Sequence, residues 1–272
     1  MHNHEKKIAV INDFCGFGRC SLAVSLPIIS ALKVQCCPLP TSIFSNHTGF
    51  DRFYSTDFTP HMTSYIEQWK ALDLTFSGIL TGYLGSPEQI AIVKDFLTQF
   101  KKEDTVVVID PVMGDNGMLY PSYSPMLADK MKELVPYADI LTPNLTEACF
   151  LTKTPYKSDL NEQKLTEICL KLTQMGPKKV VISGLERGEN LENFIFEDGN
   201  VTLVTEHKVG PNRAGTGDVF SSILAADTVN GMSLQTAVRH ASAFIAKVLR
   251  RALELDLPKT DGLCFEEFLT QL

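Results

Sequence analysis

Short apolar runs rich in β-branched residues alternate along the chain with longer stretches in which apolar residues recur at helical spacing. The apolar runs predict strands at residues 7–11, 76–82, 105–110, 138–142 and 179–183. The amphipathic stretches predict helices at residues 60–73, 86–102, 125–135, 159–175, 217–230 and 233–254. This alternation is typical of βαβ units that build a parallel sheet, so the predicted class is α/β.

One segment, residues 192–208, departs from this rhythm. Apolar and polar residues alternate on either side of Asp198-Gly199-Asn200, a pattern that predicts an antiparallel hairpin. No internal repeat, low-complexity tract or long linker interrupts the chain of 272 residues. We therefore expect a single domain over residues 1–272.

Composition and charge narrow the class of protein further. A content of 44% hydrophobic and 21% charged residues is ordinary for a globular protein. The net charge of −7, without a dense Lys/Arg stripe, argues against a nucleic-acid partner.

The longest apolar run, residues 22–32, is too short to cross a bilayer. Seven cysteines without a C-x-x-C pair and without a signal-like N-terminus indicate reduced thiols in a cytoplasmic protein, with no structural zinc.

The loops that follow the predicted strands are the candidate ligand sites. In a parallel sheet, ligands bind in the crevice at the carboxyl ends of the strands. Five such loops are rich in Gly, Asp, Asn, Thr or Ser: residues 12–19, 82–85, 110–117, 142–147 and 183–188.

The first of these loops contains Gly16-Phe17-Gly18 between a strand and a helix, which invites comparison with a dinucleotide-binding loop. Ser21 stands where a third Gly or Ala is needed, and no acidic residue between Phe14 and Phe50 could hold a ribose hydroxyl. A Gly-rich turn, or a substrate loop in which Asn12 and Asp13 contact the ligand, are the alternatives.

The segment TSIFSNHTGF, residues 41–50, combines polar and aromatic side chains. Ser45, His47 and Thr48, with the neighbouring Asn46, could form a polar rim beside the rings of Phe44 and Phe50, as expected for a small planar ligand. A purely structural histidine is the alternative interpretation.

Acidic and amide side chains gather at the ends of two further predicted strands. Asp110 follows an apolar strand, Asp115 lies in the Gly-rich loop after it, and Asn144 and Glu147 occupy a strand-to-helix junction. Mg²⁺ in proteins is commonly held by one or two carboxylates together with phosphate oxygens. We expect Asp110, Asp115 and Glu147 to support such an ion, although a turn role for the aspartates and a helix cap at Glu147 are open alternatives.

The segment GPNRAGTGDVF near the C-terminus offers an anion site of a different kind. No G-x-x-x-x-G-K-[ST] sequence occurs in the chain, so a P-loop is excluded. Gly215, Thr216 and Gly217 can direct successive backbone N–H groups towards an anion at the start of a helix. From the residues alone, Asp218 is equally suited to capping the helix and to acting as a base.

Several of these segments together resemble one family of enzymes. AGTGD, TPNLTE and DPVMGD resemble the ribokinase superfamily of small-molecule kinases, and FSNHTG followed by LTGY is similar to its pyridoxal kinase branch. NDFCGFGRCSL looks like a variant found among bacterial members of that branch. The resemblance extends from about residue 7 to residue 250 and implies a three-layer α/β/α sandwich with a mostly parallel central sheet.

This resemblance implies ATP-dependent phosphorylation of the 5′-hydroxymethyl group of a B6 vitamer, with Mg²⁺ and commonly K⁺ as cofactors, in a homodimer. It implies that Asp218 is the base and that Gly215, Thr216 and Gly217 form the anion hole. The other implied positions are Asp110, Asn144 and Glu147 near Mg²⁺ and nucleotide, Thr142, Ser183 and Thr216 near the phosphates, and His47, Thr48 and Tyr83 in the vitamer pocket.

One departure from the family pattern affects substrate choice. Studied members carry Gln-Ser-His where this chain has Asn12-Asp13-Phe14. An ionised Asp accepts hydrogen bonds only, so Asp13 favours a protonated ring nitrogen or a ring hydroxyl. A hydroxymethylpyrimidine kinase of the same fold and a non-catalytic vitamer-binding protein are the alternative functions.

Overall fold

A nine-stranded sheet forms the centre of the computed structural model, which describes residues 2–272. The strands are β1 (Lys7–Cys15), β2 (Gln35–Phe44), β3 (Ser55–Asp57), β4 (Gly78–Thr81), β5 (Val106–Ile109), β6 (Gly114–Asp115), β7 (Met118–Leu119), β8 (Ile140–Leu141), β9 (Lys179–Arg187), β10 (Asn190–Glu197) and β11 (Asn200–His207). Their order in the sheet is β11-β10-β9-β8-β5-β4-β1-β2-β3, and β6 pairs with β7 in a separate ribbon. The six strands from β9 to β2 are parallel, and antiparallel strands lie at both edges.

Helices cover both faces of this sheet. They are α1 (Leu22–Ala31), α2 (Thr59–Ala71), α3 (Pro87–Phe100), α4 (Pro125–Met131), α5 (Leu145–Thr152), α6 (Glu162–Thr173), α7 (Thr216–Val229) and α8 (Leu234–Glu254), with 3₁₀ turns at Val135–Tyr137, Lys259–Asp261 and Glu266–Gln271. Side chains of β1 alternate between two cores: Ala9 and Ile11 pack with α2 to α6, whereas Ile8 and Val10 pack with α1, α7 and α8. The predicted α/β/α sandwich is confirmed.

The six helices predicted from periodicity and the five predicted strands all form, with ends that differ by a few residues. The predicted hairpin is confirmed as β10 and β11. Asp198 and Gly199 form its two-residue turn with φ of 50° and 80°, the left-handed conformation that hairpin turns of this length require.

It remains a prediction that a single domain accounts for all of residues 1–272. None of the helices within residues 2–272 is long and apolar enough to span a membrane.

Two differences from the predicted elements have clear physical causes. Residues 183–188 are not a loop, because β9 continues to Arg187 and pairs with β10 in antiparallel register. Strand β2 lacks an apolar signature because it contains Pro38 and Pro40. Its neighbour β3 pairs only with residues 42–44, so the proline segment lies at a free sheet edge, where a missing N–H is tolerated.

Candidate active site

A cavity of about 780 Å³ opens at the carboxyl ends of the parallel strands. All five segments selected from the sequence contribute to its lining, together with the N-terminus of α7. The predicted site residues that line it are Asn12, Asp13, His47, Thr48, Tyr83, Asp110, Asp115, Thr142, Asn144, Glu147, Ser183, Gly215, Thr216, Gly217 and Asp218. This volume is within the range of sites for small molecules and cofactors.

Ser45 is the predicted site residue that does not line the cavity. Its hydroxyl donates to Asn46 Oδ1 at 2.7 Å and accepts from Tyr54 N at 2.9 Å. The Ser45 side chain therefore stabilises its own loop through hydrogen bonds. Its position does not support the expected contact with a ligand ring.

The start of α7 forms a turn in which the backbone itself faces the cavity. Gly215 precedes the helix with φ of 80°, and a Cβ added there would lie 1.9 Å from the carbonyl oxygen of Arg19. Glycine is thus needed here for both conformation and space. A Cβ at Gly217 would meet no atom within 4 Å, so open space lies beside the first turn of the helix. Backbone N–H groups at such a helix start are free to bind an anion.

Asp218 is the third residue of α7, and its side chain does not cap the helix. The capping role left open by the sequence is therefore wrong. Instead, Asp218 Oδ1 accepts a hydrogen bond from Asn12 Nδ2 at 3.1 Å. Burial raises the pKa of the Asp218 carboxyl, while hydrogen bonds from the Ser21 backbone and from Asn12 oppose this rise. A half-buried carboxylate held by directed donors is suited to accepting a proton.

Asp13 and Tyr83 lie beside Asn12 on the same side of the cavity. Asn12 Oδ1 accepts from the backbone N–H groups of Asp13 at 2.9 Å and Tyr83 at 2.8 Å. Asp13 is only 6% exposed. Burial, followed by the charge of Asp218, raises the pKa of its carboxyl to about 6. Ionised Asp13 is thus a buried acceptor beside the cavity.

His47 borders the cavity with both ring nitrogens engaged by the protein. Its Nδ1 accepts from Gly49 N at 3.1 Å, so Nε2 carries the proton and donates to Thr260 O at 2.7 Å. Gly18 lies against this ring, because a Cβ added there would come within 2.3 Å of His47 Cδ2. The glycines of Gly16-Phe17-Gly18 therefore serve close packing, which favours the turn interpretation over a dinucleotide loop.

Glu147 completes a capping box at the start of α5. Asn144 Oδ1 accepts from Glu147 N at 3.0 Å, and Glu147 Oε2 accepts from Asn144 N at 2.8 Å. Its other oxygen accepts from Met113 N at 3.1 Å. The cap expected as the alternative role of Glu147 is therefore present. Burial is the main cause that raises the pKa of this carboxyl to about 8.

The three carboxylates expected near a metal do not form a ready-made ligand set. Asp115 turns to its neighbour: its oxygens accept from Asn116 N at 2.8 Å and Asn116 Nδ2 at 3.2 Å. Within residues 2–272, no three His, Cys, Asp or Glu side chains are grouped closely enough to hold a metal by themselves. Asp115 thus supports its own turn while lining the cavity, and the joint role expected for Asp110, Asp115 and Glu147 stays a prediction.

Asp110 and Glu147 nevertheless fit a cation that is held mainly by other ligands. Burial, and then the charges of Glu147 and Asp218, raise the pKa of Asp110 well above its usual range. Mutual repulsion of this kind is relieved by a nearby cation. Mg²⁺ commonly uses one or two carboxylates and takes its remaining ligands from water and phosphate. The donors present match that pattern.

The segment after α8 contributes contacts that the sequence did not reveal. Arg213 donates to the carbonyls of Leu257 and Pro258, both at 2.8 Å, and Arg19 donates to the carbonyl of Asp261 at 3.0 Å. With the bond from His47 to Thr260, these contacts fasten residues 257–261 beside the cavity. Every acceptor is a backbone carbonyl, so no side-chain pattern could have identified this wall.

Comparison with known proteins supports one family. The family model for phosphomethylpyrimidine kinase matches residues 26–261. A pyridoxal kinase of Arabidopsis thaliana is 31% identical, over 80% of this chain and 72% of that protein.

Solved structures give the same grouping. A Bacteroides thetaiotaomicron protein crystallised with pyridoxal under the name phosphomethylpyrimidine kinase is 38% identical, with a TM-score of 0.95 over 98% of this chain and 95% of that one. Pyridoxal kinase of Lactobacillus plantarum is 25% identical, with a TM-score of 0.91 over 98% of this chain and 96% of that one. The chain therefore belongs to the phosphomethylpyrimidine kinase family, in the pyridoxal kinase branch of the ribokinase-like superfamily.

Proposed function

We propose that this protein is an ATP-dependent kinase that phosphorylates the 5′-hydroxymethyl group of a B6 vitamer. The observation that carries the proposal is the position of Asp218. Its carboxylate lies in the first turn of α7 and adjoins both the backbone of Gly215 to Gly217 and the polar group of Asn12 and Asp13. A base beside an anion-binding turn and a small-molecule cavity is the arrangement that phosphoryl transfer to an alcohol requires.

In this mechanism, Asp218 accepts the proton of the vitamer hydroxyl. The hydroxyl oxygen attacks the γ-phosphorus, the bond to the bridging oxygen breaks, and ADP leaves with the electron pair. Backbone N–H groups at Thr216 and Gly217 offset the negative charge on the transferred group, since the start of α7 is also the positive end of its dipole. The protein's contribution is chiefly positioning and charge stabilisation.

We propose further that Asp110 and Glu147 hold Mg²⁺ through its water shell, with Asn144 nearby. When bound, Mg²⁺ would neutralise phosphate charge. Thr142 and Ser183, which line the same cavity, are proposed to border the nucleotide phosphates with Thr216. ADP occupies a pyridoxal kinase of Leishmania donovani that shares this fold, with 21% identity and a TM-score of 0.89.

The ring of the vitamer is assigned to the part of the cavity formed by Asp13, Tyr83, His47 and Thr48. Pyridoxal in the Bacteroides relative favours a pyridine substrate over a hydroxymethylpyrimidine. Ionised Asp13 supplies a hydrogen-bond acceptor that a protonated ring nitrogen can satisfy.

K⁺ dependence, a homodimer and a cytoplasmic location complete the proposal. Large side chains are exposed around the end of β2 and the following loop: Phe17, Ile43, Phe53 and Tyr54 are 54%, 39%, 45% and 72% exposed. An apolar surface next to the edge strand β3 is suited to covering by a second copy. All seven cysteines are free thiols, which suits a reducing compartment.

The proposal is tested with purified protein, ATP and Mg²⁺, with and without K⁺, against pyridoxal, pyridoxine, pyridoxamine and hydroxymethylpyrimidine. We expect ATP-dependent phosphorylation of at least one vitamer and preference for it when hydroxymethylpyrimidine competes. Preference for the pyrimidine would reverse the substrate assignment. Binding without turnover would indicate a vitamer-binding protein instead.

Asp218→Asn tests the proposed base. A catalytic base contributes about 10²- to 10⁴-fold to rate, so turnover should fall by that factor while vitamer and ATP still bind. Asp104→Asn is the matched control, because it removes the same charge from an exposed position before β5. Full turnover in Asp218→Asn would show that another group takes the proton.

A further inference from the structure

The side-chain amide of Asn12 is buried and makes three hydrogen bonds to protein groups beside the cavity. Asn12 is 5% exposed. Its Oδ1 accepts from two backbone N–H groups, those of Asp13 at 2.9 Å and Tyr83 at 2.8 Å, and its Nδ2 donates to Asp218 Oδ1 at 3.1 Å. Two N–H donors can only face a carbonyl oxygen, so the orientation of the amide is fixed. These bonds engage the oxygen and one of the two N–H groups of the amide, and Asn12 also lines the cavity. The substrate contact expected from the sequence therefore stays a prediction for the other N–H group.

Gly82 provides the space in which this amide lies. A Cβ added at Gly82 would come within 2.5 Å of Asn12 Cγ and Nδ2 and within 2.6 Å of Oδ1. Gly82 is not among the residues with positive φ, so its φ does not itself require glycine. Its N–H also donates to Ile11 O at 2.8 Å, which fixes its distance from β1. The close approach of the Asn12 amide is what requires glycine here.

We infer that Asn12, seated on Gly82, is a positioning residue that holds the Asp218 carboxylate at the cavity and couples it to the loop of Tyr83. The inference rests on the proposed kinase function, in which Asp218 is the base. It assigns a task to two residues that do not themselves touch the reacting atoms. The sequence motifs include Gly82, in LTGY, without explaining why a glycine stands there.

The Asn12 amide also favours the charged form of the base. Burial raises the pKa of Asp218, and the hydrogen bonds from Ser21 and Asn12 act against that rise. Removal of the Asn12 donor should therefore raise this pKa further. The other titratable groups that interact with the Asp218 charge are Asp13 on β1, Cys20 before α1, Asp110 after β5 and Tyr120 after β7. None of these is altered by the variants below.

The first experiment compares the pH profiles of wild type, Asn12→Ala and Asn12→Asp. Asn12→Asp keeps an acceptor for Asp13 and Tyr83, removes the donor to Asp218 and adds a second carboxylate beside it, so it tests the lost donor and like-charge repulsion together. For both variants we expect kcat to fall by about 10- to 100-fold, since small misplacement of a catalytic group has effects of that size. KM for the vitamer should stay within about threefold if the lost interaction acts on the transition state. The acid limb of kcat/KM should move up by about one pH unit in Asn12→Ala, and further in Asn12→Asp because of the added charge.

Gly82→Ala provides an independent route to the same perturbation. The added methyl group should displace the Asn12 amide and reproduce the Asn12→Ala profile. In Asn12→Ala the displaced atoms are already absent, so the double variant Asn12→Ala/Gly82→Ala should be no slower than Asn12→Ala alone. Independent losses that multiply in the double variant would overturn the coupling.

A readout without turnover separates this inference from the proposed function. The Asp218 carboxyl is titrated by carbon-13 NMR in wild type, Asn12→Ala and Gly82→Ala, and its signal is assigned from its loss in Asp218→Asn. We expect both variants to raise the Asp218 pKa by about one unit. An unchanged pKa, or a raised KM with an unmoved acid limb, overturns the positioning role. Absence of vitamer phosphorylation by wild type would overturn the kinase proposal and leave the NMR result to decide this one.

Discussion

Replacement of Asp13 by Asn should stabilise the fold, and by an amount that depends on pH. Asp13 is 6% exposed, and burial raises the pKa of its carboxyl from 3.8 to about 6. An acid whose pKa is higher in the folded state contributes stability at low pH that is lost as pH rises through the folded pKa. Here that loss takes place between about pH 4 and pH 6. The neutral Asn variant avoids it.

The size of the effect follows from the two pKa values. The interval from 3.8 to about 6 corresponds to about 3 kcal/mol in the free energy of unfolding at about pH 8. At about pH 4.5 most folded molecules carry a protonated Asp13, and the difference shrinks to about 1 kcal/mol. For a chain of this size, the gain at the higher pH is a rise in Tm of about 6–12 °C.

The assay is urea unfolding at both pH values, followed by the fluorescence of Trp69, the only tryptophan. Trp69 packs against Phe76 and Phe96 in the core and so reports on the whole fold. Asp104→Asn, which removes one charge from an exposed position, should change stability little at either pH. No gain for Asp13→Asn at about pH 8, or an equal gain at both pH values, would refute the reasoning.

Three further predictions concern the same regions of the fold. Gly215→Ala should abolish activity and destabilise the fold by more than about 1 kcal/mol, visible in Tm, because its Cβ would meet Arg19 O at 1.9 Å. His240→Ala should lower the unfolding free energy, because Asp227 is fully buried, has one oxygen without a partner and bonds His240 at 2.7 Å. That pair raises the pKa of His240, so the loss should be largest below about pH 6.5 and shrink as pH rises through the folded pKa. Glu147→Gln should weaken the Mg²⁺ dependence of turnover in a metal titration and leave folding largely intact; an unchanged Mg²⁺ requirement would remove Glu147 from the proposed metal site.

The parts of the site that were predictable from the sequence depend on backbone rules or on short motifs. Parallel strands place their following loops at one edge, so the loops that begin at Asn12, Gly82, Asp110 and Thr142 had to meet. Asp218 was ambiguous between cap and base because both roles place an Asp in the first helical turn. Its hydrogen bond with Asn12 joins α7 to β1. The sequence near either residue does not indicate a contact between positions so far apart.

Other parts could not be predicted because tertiary context decides them. The sequence around Asn12 is the same whether its side chain contacts a ligand or a neighbouring carboxylate, so the sequence could not distinguish these roles. Glu147 can cap a helix and support a cation at once, so choosing one role from the sequence was unnecessary. Strand β2 escaped detection because its two prolines are tolerated only at a sheet edge, and edge position is a property of the whole sheet.

The wall formed by residues 257–261 bears on how the family can change over time. Arg213, Arg19 and His47 recognise only main-chain oxygens in this segment. These particular contacts should therefore tolerate substitutions in the segment that preserve the path of the backbone. A ranking of positions by identity among relatives would undervalue the segment, and shortening the chain by its last fifteen or so residues would remove it entirely. The position of this wall depends on the three side chains that hold it, which lie far away in the sequence.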